Sequence, residues 1–241
     1  MAPRAGEHPG SFGENPGEEN ELASQMASQV EERLRGVRAR IVAADGGVDL
    51  PRIVAVTKGF GGAAVAAAMA VGLSDLGENY AAELAAKAHD ASAQGLEPRW
   101  HFLGNIQRNK VATLARWVRT WEGVARAAEG IEIARHAPGA AVLVQVNTAG
   151  DPRRNGCLPD EAPALVSQLR GLGLVVQGLM TVAPLGGPEV ARTSFRRLAG
   201  LRDQIGLDEL SMGMTEDLEV AVREGATIIR VGRALFGPRP T

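Results

Sequence analysis

Eight short apolar runs recur along this chain, each followed by a stretch of helical character, and that alternation restricts the fold more than any other feature. The strand-like runs fall at 52–56, 74–76, 100–103, 118–121, 141–146, 174–178, 209–211 and 227–231. Helical periodicity separates them, in an Ala-rich stretch ending at Val71 and at 81–93, 159–172, 188–205 and 215–224. Strands that alternate with helices pair in parallel, because each helix is the crossover between two neighbours. A run such as Val142-Leu-Val-Gln-Val146 is almost wholly apolar, as expected of a parallel strand covered on both faces. Eight such units within 241 residues predict a single α/β (β/α)8 TIM barrel. The competing architecture is an open doubly wound sheet. Its Gly-x-Gly-x-x-Gly turn is missing after the first strand, where Val56-Thr-Lys-Gly-Phe60 stands instead.

The barrel does not use the whole chain. Residues 1–21 are rich in Gly, Pro, Glu and Asn, with Phe12 the one large apolar side chain beyond Met1. Such a segment cannot bury enough surface to offset its ordering entropy, and it reads as a disordered acidic tail. The barrel unit is then 22–241. It opens with a helix over 22–44, whose stripe is Met26, Val30, Leu34, Val37 and Ile41.

Composition excludes several functions. Lys plus Arg number 26 against 28 Asp plus Glu, a net charge of −2, which argues against binding a nucleic acid backbone. One cysteine, Cys157, precludes an internal disulfide or a Cys-based zinc site. The four histidines lack metal-binding spacing, so no metal site is expected. No apolar run reaches the roughly 18 residues of a membrane span, and no secretory leader is evident. The expectation is a cytoplasmic protein without membrane contact.

Barrel chemistry sits at the C-terminal ends of the strands. The first strand ends in Lys58, whose amine would project into the barrel mouth. A partly desolvated lysine has a lowered pKa and attacks carbonyls. The alternative is a solvated surface lysine. The second strand ends in Gly77-Glu-Asn-Tyr80, where Asn79 offers an amide at the mouth; Glu78 or Asn79 could equally cap the next helix. His101 on the third strand reads as a satisfied core histidine, with a proton shuttle as the other reading. Leu210-Ser-Met-Gly-Met214 leaves strand seven, and Arg230-Val-Gly232 leads from strand eight into a short helix at 233–236. Glycines at both turns suit a phosphate cup of the kind barrels build there. Glu216 and Asp217 would then have to face solvent. A carbonyl-reactive lysine, a phosphate cup and Arg230 together match pyridoxal 5'-phosphate (PLP), which carries an aldehyde and a phosphate on one ring.

The motifs resemble those of the pyridoxal phosphate homeostasis proteins, the YggS/PROSC family, relatives of the alanine racemase N-terminal barrel domain. The matching stretches are Ala55-Val-Thr-Lys58, Gly77-Glu-Asn-Tyr80, Trp100-His-Phe-Leu-Gly-Asn-Ile-Gln107 with Asn109-Lys110, Val146-Asn147 with Gly156, Gly178-Leu-Met180, Leu210-Ser-Met-Gly-Met214 and Arg230-Val-Gly232 with Phe236-Gly237. The resemblance implies PLP held as a Schiff base on Lys58. It also implies that Ser211, Gly213 and Gly232 take the phosphate, with Met212 in the same loop. Arg230 would meet the pyridine nitrogen and Asn79 would lie near the ring. Two stretches depart from the family pattern: Gly59-Phe60-Gly61 after the lysine, and Asp151-Pro-Arg-Arg-Asn155 before Gly156.

The resemblance implies a carrier that buffers or delivers PLP, with PLP-dependent apo-enzymes as recipients and no established turnover. The alternative is a PLP-dependent amino-acid racemase. Related racemases use a tyrosine from a second, C-terminal domain, and here the chain ends just after strand eight, with Tyr80 as its only tyrosine. An arginine at the ring nitrogen also disfavours pyridinium formation and weakens the ring as an electron sink. Without a dimerising domain, a monomer is expected.

Overall fold

The computed structural model describes residues 16–45 and 50–239. Its eight strands close into a parallel barrel in sequence order: β1 (Arg52–Val56), β2 (Asp75–Glu78), β3 (Arg99–Phe102), β4 (Val118–Val124), β5 (Ala141–Gln145), β6 (Val175–Met180), β7 (Glu209–Ser211) and β8 (Ile228–Val231). Closure is made by β1 on β8, in register from Arg52 opposite Ile228 to Ala55 opposite Val231. The expected barrel is therefore the observed one. The expected strand at 118–121 is present and runs on to Val124.

The helices are α1 (Pro16–Asp45), α2 (Gly62–Ala70), α3 (Ala81–Ala93), α4 (Arg108–Leu114), α5 (Ala127–His136), α6 (Ala162–Gly171), α7 (Pro188–Ile205), α8 (Leu218–Arg223) and α9 (Arg233–Phe236). Helix α1 buries Val30, Leu34, Val37 and Ile41. It packs against α2, α8 and α9, and Arg40 on it clamps Glu219 of α8. The helix begins at Pro16, earlier than the sequence pattern suggested, so the last residues assigned to the acidic tail are helical. Helix propensity carried through Glu18, Glu19 and Glu21 extends α1 beyond its apolar stripe. The rest of the expected tail, 1–15, lies outside the described residues.

Strand alternation divides the interior. Outward-facing side chains such as Leu76, Trp100, Trp121, Val142, Leu179 and Leu210 fill the layer between barrel and helices. Inside, Val54, Leu143, Met180 and Ile228 form a small apolar cluster. The remaining interior positions include Asp75, His101, Glu122, Ser211 and Arg230, all buried. Barrel interiors are usually filled by branched aliphatic residues, so this half-polar filling is unusual.

Candidate cofactor site at the barrel mouth

A cavity of about 500 Å³ opens at the C-terminal ends of the strands, lined among others by Val56, Lys58, Asn79, Met180, Arg230 and Gly232. Its size suits a small cofactor.

Lys58 follows β1 on a tight turn. The Phe60 N–H donates to the Thr57 carbonyl at 3.0 Å, and Gly59 adopts φ +76°, which any side chain would strain. That accounts for the glycine after the lysine. Three further residues clamp the turn. The Lys87 ammonium of α3 donates to the Thr57 carbonyl at 2.7 Å, to Glu78 at 2.6 Å and to Glu83 at 2.7 Å. Glu83 also accepts the Gly59 N–H at 2.6 Å, and the Thr57 hydroxyl donates to Glu78 at 2.7 Å. Burial pushes the Glu78 carboxyl above its usual range, although Lys87 opposes this. The Lys58 amine lines the cavity, and its pKa is lowered by burial and then by Arg239. Neither Glu78 nor Asn79 caps α3, whose N-cap is Tyr80. Sequence reasoning passed over Glu83 and Lys87. Their signal was a lysine on the stripe Leu84, Lys87, Ala88, Ala91 with a glutamate one turn earlier.

Opposite, Arg230 is buried on β8. Its Nη1 donates to Ser211 Oγ and its Nη2 to the Thr181 carbonyl, both at 2.7 Å. Those bonds take two of the five N–H donors of a guanidinium that borders the cavity. Ser211 is buried and is not among the residues lining the cavity; its hydroxyl donates to Glu122 and accepts from Arg230, so it anchors that guanidinium. Met212 points into the outer core, and its N–H is spent on the Ile228 carbonyl. Gly213 has φ +89°, and a Cβ there would lie 2.4 Å from the Ala221 Cβ; the close approach of α8 explains the glycine. The cavity is bordered further along the chain, by Met214, Thr215, Glu216 and Asp217 on one side and Gly232 and Arg233 on the other. A Cβ on Gly232 would press to 3.1 Å from the Val56 carbonyl oxygen.

Glu216 and Asp217 border the cavity; Glu216 faces solvent as expected, whereas Asp217 is partly buried. Glu216 is exposed but paired with Arg233 at 2.6 Å. Asp217 accepts the Met214 N–H at 2.6 Å, and burial raises its pKa. Both carboxylates satisfy local donors instead of standing free in water. None of the residues 151–155 borders this cavity; Arg154 instead binds the carbonyls of Val182 and Ala183 at 2.9 and 3.0 Å.

His101 lies inside the barrel, below the cavity, as a satisfied core histidine. Nδ1 bonds Glu122 at 2.6 Å and Nε2 bonds Asp75 at 3.1 Å. Asp75 in turn takes a bidentate pair from Arg99 at 2.9 and 2.6 Å. Burial alone would lower the histidine pKa. The two carboxylates outweigh it and raise the pKa to about 9.

Residues 28–240 match the family described as alanine racemase, N-terminal domain. A pyridoxal phosphate homeostasis protein of Pseudomonas aeruginosa is 40% identical over 196 residues, covering 78% of this chain and 84% of that relative. The protein of the same name from Deinococcus radiodurans is 39% identical over 210 residues, covering 84% and 97%. This chain belongs to the pyridoxal phosphate homeostasis protein family. Among solved structures, PipY of Synechococcus elongatus PCC7942 with PLP bound superposes with a TM-score of 0.74 at 31% identity, covering 86% of this chain and all of that one. The family assignment agrees with the motifs from Lys58 to Gly232. No helix among the described residues is long and apolar enough to cross a membrane.

Proposed function

We propose that the mouth cavity binds PLP through a Schiff base on Lys58, and that the protein holds and releases the cofactor in PLP homeostasis without turning over a substrate. The observation that carries this reading is the pairing of a desolvated lysine with a buried arginine across one cavity of cofactor size. When bound, PLP supplies an aldehyde and a ring that can act as an electron sink. Lys58 would hold that aldehyde through its amine, which burial keeps partly neutral. Gly232 and the adjoining start of α9 allow a phosphate to approach backbone closely. Arg230 presents N–H donors and no acceptor, so it would hold an unprotonated ring nitrogen and would leave the ring a weak electron sink. Asn79, which lines the same cavity, would lie near the ring. The PLP-bound PipY structure and the names of the curated relatives support the same ligand and role.

The racemase reading requires a second base opposite Lys58. Tyr80 is the only tyrosine in the sequence; it is 63% exposed and borders a neighbouring cavity, not the one holding Lys58. The carrier reading extends to a cytoplasmic monomer, formed by 22–241, that passes PLP to PLP-dependent apo-enzymes.

Borohydride reduction of the PLP-loaded protein, followed by peptide mass mapping, tests the assignment. The adduct is expected on Lys58 alone. Lys58→Ala should abolish the reducible absorbance band and shift the melting temperature by no more than about 2 °C, because a mouth side chain contributes little packing. A reducible band that persists in Lys58→Ala overturns the assignment.

A further inference from the structure

A continuous line of side chains runs through the barrel interior from the mouth to the opposite end. Arg230 donates to Ser211, Ser211 donates to Glu122, Glu122 bonds His101, His101 bonds Asp75, and Asp75 is held by Arg99. Every member but Arg99 is buried. Arg99 stands at the start of β3, beside the N-terminal end of β2 that carries Asp75. Only Arg230 borders the mouth cavity.

We propose that His101 is a positioning residue for the cofactor: as a doubly protonated imidazolium it fixes Glu122, which fixes Ser211, which aims the Arg230 guanidinium at the ring nitrogen. The inference rests on the reading of Arg230 given above. The direction of each hydrogen bond carries the argument. Both ring nitrogens of His101 face carboxylate oxygens, and only the imidazolium can donate to both. Its charge keeps the fully buried Glu122 ionised, since a lone carboxylate in a dry interior takes up a proton. An ionised Glu122 can only accept, so the Ser211 proton must point at it. The Ser211 lone pairs then face Arg230. With Nη2 fixed by the Thr181 carbonyl, the guanidinium plane has two anchors, and the rest of its edge is set toward the cavity. A neutral His101 could donate to one carboxylate only, and this polarity would no longer be enforced.

The ring nitrogen can be removed chemically. Dissociation constants for PLP and its 1-deaza analogue, which keeps the aldehyde and the phosphate, isolate the Arg230 contact. The wild-type full chain should prefer PLP by at least about tenfold, the value of a hydrogen bond from a charged donor. His101→Gln should reduce that preference to below about threefold and leave the affinity for the deaza analogue unchanged. A structural role alone would weaken both ligands equally, and that outcome overturns the proposal, as does a preference that persists in His101→Gln. If the wild type binds both ligands alike, the Arg230 assignment itself fails, and the relay with it. If His101→Gln does not fold, Asp75→Asn at the far end of the interior carries the same comparison. A full wild-type preference in Asp75→Asn overturns the relay.

Discussion

Lys58 and Lys87 meet at one turn of the chain, yet their amines are held in opposite ways. Lys87 sits 7% exposed on α3, and its three N–H donors are matched by Glu78, Glu83 and the carbonyl of Thr57, the residue just before Lys58. Lys58 borders the cavity, no hydrogen bond among the described residues holds its amine, and the charge that acts on it most strongly is the like-charged Arg239. Burial by itself does not make a lysine reactive. The more buried amine is saturated and structural, whereas the less buried one lacks a partner and is available to a carbonyl. Lys87 also acts on Lys58 indirectly, by fixing the carbonyl of the residue just before it.

The sharpest way to break this contrast is to remove the saturated lysine. Lys87→Ala strands Glu78, which is fully buried and whose second oxygen has no partner among the described residues. Leaving one member of a buried ion pair alone costs about 3–5 kcal/mol. Urea unfolding should show a loss of that size. Glu78→Gln combined with Lys87→Met should recover most of it, because neither variant side chain is charged. A loss below about 1 kcal/mol for Lys87→Ala would mean that the cluster is not the clamp described here.

A second buried cation can be discharged by pH instead of mutation. His101 has its pKa raised to about 9 between Asp75 and Glu122, which outweigh its burial; Asp75 is also held by Arg99, and Arg230 is reached through Ser211. The unfolded chain would titrate it near 6.5. The stabilisation is therefore complete below about pH 6.5 and is lost as pH rises through about 9. The total is about 3 kcal/mol, with a slope of at most about 1.4 kcal/mol per pH unit. Unfolding free energies at pH 6.5 and 9.5 should differ by that amount in the wild type, and the difference should largely vanish in His101→Gln. An unchanged slope in the variant would show that His101 is neutral in the folded protein.

Which parts were legible in the sequence follows from the range of the interactions. The barrel was, because its period repeats eight times and a one-residue slip would turn Leu76, Trp100 or Val142 to the wrong face. Lys58, Asn79, Arg230 and Gly232 were, because a strand-end position in a barrel already implies the mouth. The clamp of Glu78, Glu83 and Lys87 and the relay through Glu122 were not. The relay joins residues from different strands, and a single sequence does not display contacts made across the barrel; the clamp is closer in sequence, and its one local signal was the Glu83–Lys87 spacing of one helical turn. Ser211 shows the limit well. The resemblance assigned it to the phosphate; strand alternation turns its hydroxyl inward to Glu122, and it is not among the residues lining the cavity. The early start of α1 was missed for a different reason: helix propensity extends an element past its apolar stripe.

The smallest effect tests the open side of the lysine comparison. Arg239 borders the same cavity as Lys58, and its side chain packs over Gly59, so a Cβ there would lie 2.9 Å from the Arg239 Cδ. Its charge, after burial, is the next cause of the lowered Lys58 pKa. Arg239→Gln should raise that pKa and reduce the neutral amine fraction at pH 7–8. Carbonyl capture would slow by less than about tenfold, since one half-solvated charge shifts a pKa by about one unit or less. Pyridoxal is the better probe, because it lacks the phosphate that Arg239 would attract for a separate reason. Rates of Schiff-base formation, followed by absorbance from pH 7 to 10.5, should lie below wild type at the low end and converge at the high end. A uniform reduction at every pH would assign Arg239 a steric role. Identical profiles would leave desolvation alone as the source of the difference between Lys58 and an ordinary surface lysine.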